Sequence, residues 1–174
     1  MSHKQQLDFV SAVRDMYPAN FKETKVLEVG SLDINGTIRI FFDHCDYIGC
    51  DIGPGTHVDI VCPGQDLAFD DGEFDTVASC ECFEHNPEWV ATFRNMHRMT
   101  KVGGLVFFSC ATTGRPEHGT TRTSPADAPH CGDYYRNLTR EDFEQEFDLA
   151  SMFSEFRFGV GRETCDLYFY GVKA

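Results

Sequence analysis

Positive charge is scarce in this chain: 15 Lys and Arg face 28 Asp and Glu, a formal net charge of −13 over 174 residues. A field of that sign repels phosphate backbones and anionic lipid surfaces, so no nucleic acid partner is expected. Long apolar stretches are missing too. No run exceeds the four residues Leu105–Phe108, far short of the ~20 needed to cross a bilayer. Met1–Gln6 has neither the basic nor the apolar block of a signal peptide, so a cytoplasmic protein without membrane insertion is expected. Cysteine is plentiful, but its pairing motifs are not. The eight cysteines form no Cys-x-x-Cys, and Cys50, Cys62, Cys80, Cys110 and Cys165 sit in or at the ends of apolar runs, where reduced thiols act as small core residues. Cys80-x-Cys82 with His85 has no fourth ligand at zinc spacing, so no metal is expected. Repeats and low-complexity tracts are absent, and 41% apolar residues can fill a core, so residues 1–174 read as one domain.

What the chain does have is an alternation of helices and short buried strands. Leu7, Val10, Val13 and Met16 recur at three-residue steps through Ser2–Tyr17, with Ser2 and Gln5 placed as a capping box, which predicts an amphipathic helix stopped by Pro18. Lys25–Val29 is a short β-branched run ending at Gly30. Asn35 is a good N-cap before Ile38, Phe41 and Phe42, so a crossover helix is expected ahead of a second strand, Tyr47–Asp51. Val58–Cys62 looks like a third strand, yet Ile52–His57 is too short for a helical crossover; either this part of the sheet is trimmed or it is not a regular parallel strand. Phe74–Cys80 reads as the fourth strand, Pro87–Thr100 as a helix burying Trp89, Phe93 and Met96, and Leu105–Cys110 as the fifth strand, with Gly103–Gly104 closing the helix. The stretch Ala111–Asn137 is longer than a connector needs. Thr139 and Asp142 form a capping box, with Leu138 and Phe143 as its hydrophobic staple. Phe153–Val160 and Asp166–Val172, joined through Gly161–Thr164, suggest an antiparallel hairpin.

An open α/β sheet binds ligands beyond the carboxyl ends of its strands. The loops there begin with Gly30-Ser31, Asp51-Ile52, Gln65-Asp66-Leu67, Cys80-Glu81 and Cys110-Ala111. A glycine turn lets a ligand approach the backbone, and an Asp ending the second strand can accept hydrogen bonds from both ribose hydroxyls. A dinucleotide is disfavoured because G-x-G-x-x-G is absent and Asp33 stands where a diphosphate would approach. G-x-x-x-x-G-K-[ST] and Tyr-x-x-x-Lys are missing as well. A nucleoside with an uncharged or cationic linker fits better, and S-adenosylmethionine is that kind of ligand.

The run Val26-Leu-Glu-Val-Gly30, then Gly49-Cys-Asp51, Asp66–Asp75, Glu84-His85 and His97–Gly104 together resemble the class I S-adenosylmethionine-dependent methyltransferases of small single-domain type. The resemblance implies an open Rossmann-like, mostly parallel seven-stranded sheet with helices on both faces and a reversed last strand. By position it implies that Glu28, Gly30 and Ser31 form the first cofactor motif and that Asp51 binds the ribose with Ile52 beside the adenine. It places Gln65, Asp66 and Leu67 toward the adenine and Cys80 beside the amino-acid part. The chain departs from the family pattern at Leu32, where a glycine is usual, at Pro63, where an Asp often meets the adenine amine, and at Val102, where a Pro is common.

Methyl transfer from a sulfonium needs a nucleophile held in line with the methyl carbon, and a base helps when the acceptor is a hydroxyl. His85 has the intrinsic pKa for that role, and Glu84 could orient it; both also read as residues opening a helix before Pro87. Glu28, inside a strand, serves either the cofactor or the glycine loop. Residues 111–138 read as a substrate loop, with Arg115, His118, Tyr134, Tyr135 and Arg136 as candidate acceptor contacts. A small-molecule or glycan-type acceptor methylated at oxygen is expected, and a non-catalytic cofactor-binding or interaction module of the same fold is the alternative. Oligomeric state is not legible.

Overall fold

In the computed structural model, which describes residues 4–174, seven strands form one mixed sheet. They are β1 (Lys25–Val29), β2 (Asp46–Asp51), β3 (Ile60–Val61), β4 (Phe74–Cys80), β5 (Thr100–Ala111), β6 (Phe153–Gly161) and β7 (Asp166–Lys173), in the order β3-β2-β1-β4-β5-β7-β6. β1 to β5 pair in parallel, while β7 runs antiparallel to both β5 and β6. The alternation read from the sequence therefore gives the expected architecture. Chain order reverses between β1 and β4, and a parallel sheet opens its ligand crevice at such a switch point.

Four helices cover the sheet: α1 (Lys4–Met16), α2 (Trp89–Met99), α3 (Arg140–Glu146) and α4 (Leu149–Met152). α1 buries Val10 and Val13 against one face with Phe21, Ile38, Leu105 and Phe107. Met16, expected in that stripe, is exposed, and the proposed cap Ser2 lies outside the described residues. On the other face Trp89, Phe93 and Met96 of α2 pack with Phe143 of α3 and Leu149 of α4. The Thr139–Asp142 capping box forms, and its staple residues Leu138 and Phe143 are both fully buried.

Three expectations need correction, and the open question of the third strand resolves to its trimmed form. The crossover between β1 and β2 is not an α-helix but a four-residue 3-10 turn, Ile38–Phe41, capped by the Thr37 hydroxyl rather than by Asn35. Only Ile38 of that turn is buried, and Ile40 stands 70% exposed, so the segment has no apolar face wide enough to anchor a helix. The third strand shrinks to Ile60–Val61 and still pairs in parallel with β2. Gly103 and Gly104 do not end α2, which stops at Met99; they lie within β5, where the pairing with β4 shifts register. Cys62 and Cys165 are only partly buried, whereas Cys50, Cys80 and Cys110 join the core as expected, and all eight thiols are free.

Candidate functional site

Beyond the carboxyl ends of β1, β2 and β4 lies a cavity of about 340 Å³. Its floor is the turn after β1. Gly30 holds φ +81°, and a Cβ there would fall 2.7 Å from that of Cys82, so the turn is closed to other residues and brings backbone to the cavity wall. Gly30 and Ser31 donate their N–H groups to the Cys50 carbonyl, at 2.8 and 3.0 Å, which ties this turn to the end of β2.

Asp51 ends β2 at the cavity edge. Its carboxylate accepts from the Leu32 N–H at 3.2 Å and more weakly from the Gly53 N–H at 3.4 Å. Two backbone donors thus aim it while leaving acceptor capacity for a ligand. Glu28 lies deeper, 4% exposed, and accepts a 2.8 Å hydrogen bond from the Tyr47 hydroxyl. Burial pushes its carboxyl up to about 7, against the pull of Tyr47. Gln65 borders the cavity and accepts from the Thr92 hydroxyl.

The long segment after β5 supplies the roof. Asp127–Cys131 border the cavity opposite the strand ends, and the His130 ring packs so tightly on Gly53 that a Cβ there would lie 2.1 Å from it. Glu28, Asp51, Glu81, Glu88 and Asp127 border the cavity, while among the described residues no Lys or Arg does.

Beside the cavity sits a second, drier group. The turn after β4 starts with Glu81 at φ +53° and continues to Glu84, fully buried, and His85, 6% exposed. His118 and Tyr135 fold back from the long segment so that the His85–His118 and His118–Tyr135 rings are each 5.0 Å apart, edge to face. Both Glu84 carboxyl oxygens, His85 Nδ1 and His118 Nε2 are buried without a hydrogen-bond partner. Burial, then the charge of Glu81, raises the Glu84 carboxyl to about 8; burial, then His118, lowers His85 to about 3, and burial lowers His118. The 4.0 Å approach of His118 Nε2 to Glu84 Oε1 is thus a meeting of neutral groups, not an ion pair.

Of the residues singled out in the sequence, Glu28, Gly30, Ser31, Asp51, Ile52, Gln65, Cys80 and His85 border the cavity. Asp66 and Leu67 do not: the Leu67 carbonyl accepts from Asn95 and Arg98 instead. Glu84 stands behind His85, and its own carbonyl accepts from the Arg136 N–H. Arg115 is committed elsewhere, 2.8 Å from buried Asp166 and 3.8 Å from Glu81. Tyr135 donates to the Pro116 carbonyl and Arg136 pairs with Asp142. Neither they nor His118 and Tyr134 border the cavity. The loop residues that do, Asp127 to Cys131, escaped sequence reading because only the fold of the segment selects them over its arginines and tyrosines. No described helix is long and apolar enough to cross a membrane.

Residues 27–108 match the family model of a methyltransferase domain. No curated protein matches the chain. Among solved structures, the fold is similar to that of 1,6-didemethyltoxoflavin-N1-methyltransferase from Burkholderia thailandensis, crystallised with 1,6-didemethyltoxoflavin and S-adenosylhomocysteine. That match has a TM-score of 0.67 at 14% identity and covers 97% of this chain and 78% of that one. Phosphoethanolamine N-methyltransferase 2 of Haemonchus contortus, in complex with S-adenosyl-L-methionine, matches with a TM-score of 0.66 at 14% identity over 95% of this chain, which spans about half (52%) of that enzyme. The PH0226 protein of Pyrococcus horikoshii matches with a TM-score of 0.67 at 14% identity, over 98% of this chain and 90% of that protein.

Proposed function

We propose that the chain, whose residues 27–108 match the model of a methyltransferase domain and whose fold is similar to that of a methyltransferase crystallised with S-adenosylhomocysteine, carries a methyl group from S-adenosylmethionine to an oxygen of a small-molecule or glycan-type acceptor. The observation that carries this reading is the sign of the cavity. Five acidic residues border it and no Lys or Arg does among the described residues. Arg115 answers Glu81 from outside the cavity and burial raises Glu28 to about 7, so Asp51, Glu88 and Asp127 carry the sign, a setting that repels a nucleotide phosphate and attracts a cation. When bound, S-adenosylmethionine supplies a methyl carbon made electrophilic by a sulfonium.

The chain's own residues then have separable tasks. Asp51, aimed by the Leu32 N–H, accepts from the ribose hydroxyls. The Gly30 turn keeps backbone against the amino-acid part, with Glu28 beneath it. The Asp127–Cys131 roof excludes water and restricts how an acceptor can approach, so orientation supplies much of the rate. His85 brings an uncharged imidazole to the cavity wall, where it aims an acceptor hydroxyl; Glu84 acts only through it, since it does not border the cavity.

Calorimetry with S-adenosylhomocysteine tests the cofactor reading. Asp51→Ala should weaken binding by about 1.5–3 kcal/mol, roughly ten- to a hundredfold, and unchanged affinity in a folded variant removes the ribose contact. His85→Gln should lower turnover of a hydroxyl acceptor while cofactor affinity stays within about twofold; equal turnover takes His85 out of the reaction. One observation favours the non-catalytic reading: the cavity, at about 340 Å³, is at the small end of the ~300–1,000 Å³ of ligand pockets. Tight cofactor binding with no methyl transfer to hydroxyl, amine or carbon acceptors would select it.

A further inference from the structure

Four unpartnered polar atoms in one dry spot need an explanation, because each costs free energy until something fills its lone pair or takes its proton. Glu84 Oε1 and Oε2, His85 Nδ1 and His118 Nε2 are such atoms, and they converge. Glu84, His85 and His118 each offer one ligand atom within 4.8 Å of the others. Three atoms so placed share a point within ~2.8 Å of each, and a zinc-type bond of ~2.0–2.2 Å asks each donor to close by less than ~1 Å.

The His118 imidazole is also held as a metal ligand is held. His118 Nδ1 lies 3.2 Å from the Pro116 carbonyl; a carbonyl only accepts, so Nδ1 carries the proton and Nε2 turns its lone pair toward Glu84. A backbone acceptor on the second ring nitrogen is the outer-shell arrangement that fixes tautomer and orientation in metal sites. His85 Nδ1 is buried with no partner. The nearby guanidinium of Arg115 does not compete, since it is turned to Glu81 and Asp166. Tyr135 packs edge-on against both imidazoles and shields the spot.

The geometry points to a divalent transition-metal site of the zinc class formed by Glu84, His85 and His118, with a fourth position open. Two imidazoles and one carboxylate suit such an ion better than magnesium or calcium, which take oxygen ligands. Glu84 and His85 sit in the turn after β4 and His118 in the segment after β5, so the ion fastens the cavity's roof segment to the end of the sheet. Sequence spacing hides the site because His118 is far along the chain from its partners. It goes beyond the methyltransferase reading and stands without it.

The test is a Co²⁺ titration of the full chain, purified metal-free and with no cofactor present. One equivalent is expected to bind with visible d–d bands and without the near-ultraviolet charge-transfer band that a thiolate would add, and Zn²⁺ should displace it. His118→Ala and Glu84→Gln should each weaken Co²⁺ at least tenfold. Glu84→Gln keeps the side chain's shape and carries the test if His118→Ala fails to fold. No binding at one equivalent, or a thiolate-type spectrum that both variants leave unchanged, overturns the site.

Discussion

Glu28 shows how one buried side chain makes stability depend on pH. Its carboxyl titrates near 4.5 when unfolded and at about 7 in the folded chain because burial penalises the charge. Between those values the folded state holds a proton that the unfolded state has lost, so this contribution is complete below pH 4.5 and is lost as pH rises to 7. The loss is on the order of 3 kcal/mol. Glu28→Gln, which stays neutral and cannot titrate, should match the parent near pH 4.5 and exceed its stability by an amount that grows to about 3 kcal/mol by pH 7 in urea unfolding. A difference that stays constant across that window would show that Glu28 is not held protonated. Glu28 and Asp51, which border the cavity, could be singled out in the sequence because strand ends and strand interiors impose different demands on a carboxylate. The arginines of the long segment were not: a charge in a loop looks the same whether it faces a ligand or, like Arg115, a buried aspartate.

Among the elements, α2 carries the most direct link from pattern to packing. Its apolar positions, four and then three residues apart, put Phe93 at 0% exposure, with the rings of Phe147 at 4.9 Å, Phe143 at 5.4 Å and both Phe108 and Phe169 at 5.7 Å. Phe93→Ala should cost about 3–5 kcal/mol in denaturant unfolding, with an unchanged m-value; a loss below ~1 kcal/mol would mean the neighbouring rings collapse into the gap. The central strands were readable as short, almost continuously buried apolar runs, and the long helices because a buried face repeats every three to four residues. The link between β1 and β2 was misread for the converse reason. Ile38, Phe41 and Phe42 look periodic, but only Ile38 is buried, and a span that short has too few contacts to outweigh the cost of nucleating a helix. The positions of Gly103 and Gly104 depend on pairing with β4, which no local pattern encodes.

Taken whole, the molecule places a rigid sheet beneath a roof made from its longest irregular segment. Because Asp127–Cys131 belong to both the segment and the cavity, a bound cofactor should slow proteolytic cutting between residues 111 and 138. Identical digestion with and without S-adenosylhomocysteine would separate the roof from binding. The acid-rich lining has one more effect, on turnover itself. S-adenosylmethionine arrives with one positive charge more than the spent thioether keeps, so the same carboxyls that draw the reagent in lose their hold once the methyl has gone. Product inhibition should accordingly be weak at low ionic strength, and added salt should bring the affinities of the two forms together.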